Sequence, residues 1–73
     1  MRYVEVSEDV EVRAIRFRLG LSQAEFSRRY ALSPRSLQEW EQGRRRPESA
    51  VRAYLTVIDR NPEAVEKALT NKS

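Results

Sequence analysis

Cysteine and histidine are both absent from this 73-residue chain, and each absence removes a class of chemistry. Without thiols there is no disulfide and no thiolate metal site. Without imidazole, zinc ligation is implausible and the usual general base at neutral pH is missing. No apolar run is long enough to span a bilayer, and the N-terminus lacks the hydrophobic region of a signal peptide, so a cytoplasmic location is the default expectation. No repeat or low-complexity segment is visible. A chain of this length makes one small domain, near the lower size at which a single core suffices. It can hardly enclose a substrate-sized pocket as well as that core, so neither an enzyme nor a cofactor is expected.

What remains is charge and helical pattern. Fourteen basic and eleven acidic residues give a net charge of +3, a balance that suits one basic face better than a uniformly basic tail. The most legible stretch runs from Ser22 to Gly43. Ser22 is an N-cap, and Glu25 three residues on completes a capping box. Ser33 repeats the cap, with Pro34 at the first helical position, where a missing N–H costs nothing. Gly43 supplies the left-handed residue that ends the second helix. Phe26, Tyr30, Leu37 and Trp40 turn one face of each helix inward. Two short capped helices joined by a tight turn are a helix-turn-helix. The second helix exposes Arg35, Ser36, Gln38, Glu39 and Gln42 and is followed at once by Arg44-Arg45-Arg46. These side chains suit the edges of bases and the phosphates of DNA.

Before this stretch, Arg2 to Val6 alternates weakly and reads as an extended arm or a single short strand. Ser7-Glu8-Asp9 is a cap with an acidic first turn for a helix that runs to about Leu19 and is closed by Gly20. Val12, Ile15 and Leu19 form its inward stripe. Phe17 lies off that stripe, as a second core edge or an exposed anchor for a partner. After the basic loop, Pro47 opens a helix with Glu48 in its first turn and a broad apolar face of Ala50, Val51, Tyr54, Leu55 and Ile58. Asn61-Pro62-Glu63 caps a last helix carrying Val65, Ala68 and Leu69, and residues 70–73 fray. The reading is an all-α, five-helix orthogonal bundle: arm 1–7, helix-turn-helix domain 8–69, tail 70–73.

Leu19-Gly20-Leu21-Ser22-Gln23-Ala24-Glu25-Phe26, followed by Trp40-Glu41-Gln42-Gly43-Arg44 and Arg46-Pro47, resembles the Cro/cI-type or XRE helix-turn-helix family. With the Asn61-Pro62-Glu63 tail, the combination is most similar to HigA-type antitoxins, the DNA-binding halves of toxin–antitoxin operons. The resemblance implies that Pro34, Arg35, Ser36, Gln38 and Glu39 read bases. It places phosphates on Ser22, Gln23, Gln42, Arg44, Arg45 and Arg46. Arg35 is the foremost reader, and Glu39 either accepts from a cytosine amino group or holds Arg35 in place. Arg16 and Glu41 match a structural salt bridge behind the motif. Two positions depart from the family pattern. Ala31 stands where the turn usually carries Gly, so the turn is expected to differ slightly. Ser27 stands at the buried small position, tolerable if its hydroxyl bonds back to the preceding turn.

The function this implies is a homodimeric repressor of a palindromic double-stranded operator, autoregulating a toxin–antitoxin operon. The dimer surface is sought on the last two helices, at Tyr54, Val57 and Val65, unless all three are core. HigA-type antitoxins tend to carry a toxin-binding extension before this domain, so a cognate toxin is the partner the resemblance supports least. Alternatives are a toxin-binding module using Phe17 and the Tyr3-Val4-Val6 arm, a stand-alone phage- or plasmid-type regulator, or a non-specific phosphate clamp at Arg44–Arg46.

Overall fold

The computed structural model describes residues 11–70, which form five helices and no strand. They are α1 (Val12–Leu19), α2 (Gln23–Tyr30), α3 (Pro34–Glu41), α4 (Ser49–Arg60) and α5 (Pro62–Thr70). α2 packs on α3 and α5, and α1 packs on α3 and α4. α4 in turn lies against α5, which closes the ring of contacts.

Helices this short are marginal alone, so packing has to hold them. Val12, Ile15, Phe26, Tyr30, Leu37, Leu55, Ile58 and Val65 are buried together, with Leu19, Leu21, Leu32, Trp40, Val51 and Tyr54 packed against them. Phe26 and Tyr30 sit one turn apart on α2 with ring centroids 5.2 Å apart and planes tilted by 58°. Each such large side chain removed from water contributes roughly 1.5–3 kcal/mol. Every helix therefore supplies at least one anchor to a single core.

The ends follow local chemistry. Ser22 Oγ accepts the Glu25 backbone N–H (3.1 Å) and Ser33 Oγ that of Ser36 (3.2 Å). Asn61 Oδ1 accepts from Ala64 N (3.3 Å). The C-termini of α1, α2 and α3 close through left-handed residues. At Gly43 (φ 77°) the Arg44 N–H reaches back to Glu39 O (2.9 Å) and the Gly43 N–H to Trp40 O (3.2 Å), the paired closure of a Schellman motif. Gly20 (φ 71°) closes α1 in the same way. A Cβ at Gly43 would meet nothing within 4 Å, so the backbone angle alone, and not space, calls for glycine.

Several expectations are corrected. α1 begins at Val12 behind an extended Glu11 (φ −91°, ψ 96°), later than a cap at Ser7 requires; Ser7-Glu8-Asp9, with the arm and residues 71–73, lies outside the described residues. Glu25 does not complete a capping box, because its carboxylate turns to Arg28 and Arg29 on its own helix. Pro47 is buried in the loop, and α4 starts at Ser49. Arg52 Nη1 donates to the Pro47 carbonyl (2.7 Å) and ties that loop down. Ala50, Ala68 and Leu69 are exposed, since α4 and α5 bury narrower stripes than their composition suggests. Thr70 ends α5 as a helical residue, its Oγ1 donating to Glu66 O (2.8 Å).

The two departures also resolve. The turn keeps its left-handed residue even with a side chain in it: Ala31 has φ 55° and ψ 45°, the one positive φ outside glycine among the described residues. Ser27 is buried, but its hydroxyl has no hydrogen-bond partner. The bond back to the preceding turn is not made.

Candidate nucleic-acid interface

The turn at residues 31–33 fixes α3 against α2, and the closure at Gly43 sends the chain back over the end of α3 as a basic loop. Pro34, Arg35 and Gln38 are exposed on α3, and Gln42, Arg44, Arg45 and Arg46 are exposed after it. Ser36 and Glu39 are half-buried. Leu37 on the opposite side of α3 is fully buried and locks the helix's rotation. Arg35 and Gln38 accordingly project to solvent on the side away from the core.

Behind this face lies a polar clasp. The Glu41 side chain is 1% exposed, and its two carboxylate oxygens accept from Arg16 Nε (2.7 Å) and Nη2 (2.8 Å). Gln23 Nε2 adds a third bond to Glu41 (2.9 Å), Arg16 Nη1 donates to Leu21 O (3.0 Å), and Arg13 Nη2 donates to the Glu41 carbonyl (3.1 Å). The two-pronged guanidinium contact holds the Glu41 carboxyl below the usual carboxylate range against the opposing effect of burial, and Gln23 assists. Arg16 is raised in turn by the same contact. Three helices thus converge on one buried carboxylate. Gln23 uses one amide proton here and keeps the other at the start of α2, where helix N–H groups favour an anion. Ser22 is exposed, with its Oγ engaged in the cap.

Glu39 is the feature that spacing did not reveal. The four-residue step to Arg35 is visible in sequence, and the structure places Arg35 Nε at 3.8 Å from the Glu39 carboxylate. The nearer partner is Arg45, whose Nη1 lies 3.1 Å from Oε1. That contact depends on the loop turning back at Gly43, which no pairwise spacing encodes.

Of the surfaces considered for protein partners, Val65 is core and Tyr54 packs against it, with its hydroxyl donating to the Tyr30 carbonyl (2.7 Å). Val57 and Phe17 are exposed. The Arg16 guanidinium carbon stands 5.0 Å over the Phe17 ring. No group of acidic residues among the described ones is arranged to hold a metal ion, and no helix there is long and apolar enough to cross a membrane.

This architecture, two capped helices at a fixed turn with a basic loop behind, defines a helix-turn-helix class of domain. The family model described as a helix-turn-helix domain matches residues 10–68. The crystal structure of an HTH XRE-family-like protein from Agrobacterium tumefaciens superposes with a TM-score of 0.79 at 44% sequence identity, covering 81% of this chain and 95% of that one. No curated protein matches. The chain belongs to the helix-turn-helix domain family and is of the XRE type. Its fold is that of a DNA-binding regulator.

Proposed function

We propose that the protein is a transcriptional repressor that binds a palindromic double-stranded operator as a homodimer. The observation that carries this reading is the exposed row of Arg35 and Gln38 on α3, continued by Arg44 and Arg45, on a helix whose other side is fully buried at Leu37. Arg35 can place two donors on a guanine edge, with Pro34, Ser36, Gln38 and Glu39 beside it. Ser22, Gln23, Gln42, Arg44, Arg45 and Arg46 bind the flanking phosphates. One such domain offers limited contact, and two-fold symmetry with half-sites one helical turn apart is the usual remedy. Of the residues sought for the dimer surface, Val57 is the exposed one. As an antitoxin, the protein would repress its own toxin–antitoxin operon.

The test is fluorescence anisotropy with DNA from just upstream of this protein's reading frame, against a scrambled duplex, at two salt concentrations and across a range of protein concentration. Preference for the upstream DNA by about a thousandfold or more, with a sigmoidal protein dependence, is the expected result. Equal and steeply salt-dependent binding to both duplexes would reduce the face to a phosphate clamp. A second reading, a surface for a protein partner such as a toxin, is favoured by one observation: Phe17 is 64% exposed. Toxin binding that is lost in Phe17→Ala and kept in Arg35→Ala would establish it.

A further inference from the structure

Glu39 sits on the proposed DNA face with an unusual set of neighbours. Its carbonyl accepts the backbone N–H groups of Arg44 (2.9 Å) and Arg45 (3.4 Å), so this residue ties the basic loop to α3. Its carboxylate faces Arg45 at 3.1 Å and Arg35 at 3.8 Å. Oε1 is covered from solvent and, although Arg45 lies close, accepts no hydrogen bond of good geometry. The Arg45 side chain itself is 56% exposed, so an anion in front of it competes directly with Glu39. The Glu39 side chain as a whole is 25% exposed.

These facts constrain what happens when DNA arrives. If Arg45 turns to a phosphate it leaves Glu39, and a carboxylate oxygen is uncovered on a face now crowded with phosphates. An uncovered anion there opposes binding unless a donor meets it, and the exocyclic amino group of cytosine is the base donor that suits a carboxylate in the major groove. We propose that Glu39 is a specificity-determining residue that couples the phosphate contact of Arg45 to base reading on α3. Random duplex is bound weakly because it recruits Arg45 and exposes Glu39 without satisfying it. Sequence with cytosine amino groups under α3 satisfies both. Discrimination then arises from a penalty on wrong sequence as much as from attraction to the right one.

This rests on the reading of α3 and its loop as the DNA face, and the test separates the two. Affinity for a fluorescein-labelled random-sequence duplex of about 20 base pairs, long enough for two half-sites, is measured for wild type, Glu39→Gln, Arg45→Ala and the double variant. Glu63→Gln on α5 serves as a control for net charge alone. Gln keeps the size of Glu39 and both carbonyl bonds to the loop. Glu39→Gln is expected to tighten random-duplex binding about tenfold, against about twofold for Glu63→Gln. In the Arg45→Ala background the Glu39→Gln gain should shrink, because no Arg45 pair is left to break, but stay above that of the control, because the uncovered carboxylate still faces the phosphates. Selection from the same random pool should lose cytosine enrichment in the Glu39→Gln consensus. A gain no larger than that of Glu63→Gln, or one undiminished without Arg45, overturns the coupling while leaving the DNA face in place. Absence of any duplex binding by wild type overturns both.

Discussion

Ser27 and Ala31 lie four residues apart around the end of α2, and each works against the local structure it occupies. Ser27 Oγ is buried without a hydrogen-bond partner, and such a group costs roughly 1–3 kcal/mol in desolvation. Ser27→Ala should therefore raise stability by about 1 kcal/mol, measured as a shift of the urea midpoint at unchanged slope. Ala31 holds a left-handed backbone angle, which costs an L-residue with a Cβ roughly 1–2 kcal/mol. Ala31→Gly relieves that strain but frees the unfolded chain, so the expected net gain is about 0.5–1 kcal/mol. Thermal melts of the single and double variants would check both values. No gain in Ala31→Gly would mean that the turn holds its angle at no cost.

At the scale of elements, the proposed reading helix is held in place by its capping serine, its closing glycine and the clasp on Glu41. Arg35 and Arg44 are exposed at different parts of this unit, and they should behave differently. Arg35→Ala is expected to cost about 1–3 kcal/mol on the operator and to relax base preference, whereas Arg44→Ala should weaken all duplexes alike and flatten the salt dependence. Even losses from both variants across sequences would contradict that division. The clasp makes a stability prediction instead. Glu41→Gln leaves the largely buried Arg16 without its counter-charge, at a cost of about 3 kcal/mol near neutral pH. Because the folded carboxyl is depressed below its ordinary value, its contribution is complete above that value and lost as pH falls through the lower folded one. The gap between wild type and Glu41→Gln in denaturant melts should narrow in acid below about pH 4. A gap that stayed constant there would show that the pair contributes by shape and not by charge.

Across the whole molecule, Tyr30 links the helix-turn-helix to the C-terminal helices. Its ring is in the core, its hydroxyl donates to Glu66 of α5 (2.6 Å), and its carbonyl accepts from Tyr54 of α4. Burial first, and the Glu66 carboxylate second, push its hydroxyl up to about 12. A raised acid of this kind contributes stability that is complete below the unfolded value of 10.0 and disappears as pH rises towards 12, because the unfolded chain releases its proton first. Wild type should lose stability across that range, and Tyr30→Phe should lose less, as read by alkaline titration of the melting temperature. Equal losses would place the alkaline sensitivity elsewhere, with Tyr54, which burial also raises, as the next residue to replace.

The sequence by itself determined the number and order of the helices and most of their punctuation, though not the starts of α1 and α4. The serine caps at Ser22 and Ser33, the closing glycines and the Asn61 cap act over a few residues, where spacing and chemistry suffice. It also carried the motif by which the family is recognised. Tertiary structure alone decided which face each helix buries when its apolar stripe is broad, as for Ala50 and Leu69, because burial depends on what lies opposite. It decided too that Gln23 joins the Glu41 clasp, that Ser27 goes without a partner, and that Glu39 faces Arg45. Those contacts form only after separate elements have packed and the loop has turned back, and their energies depend on distance and burial that no stretch of chain specifies alone.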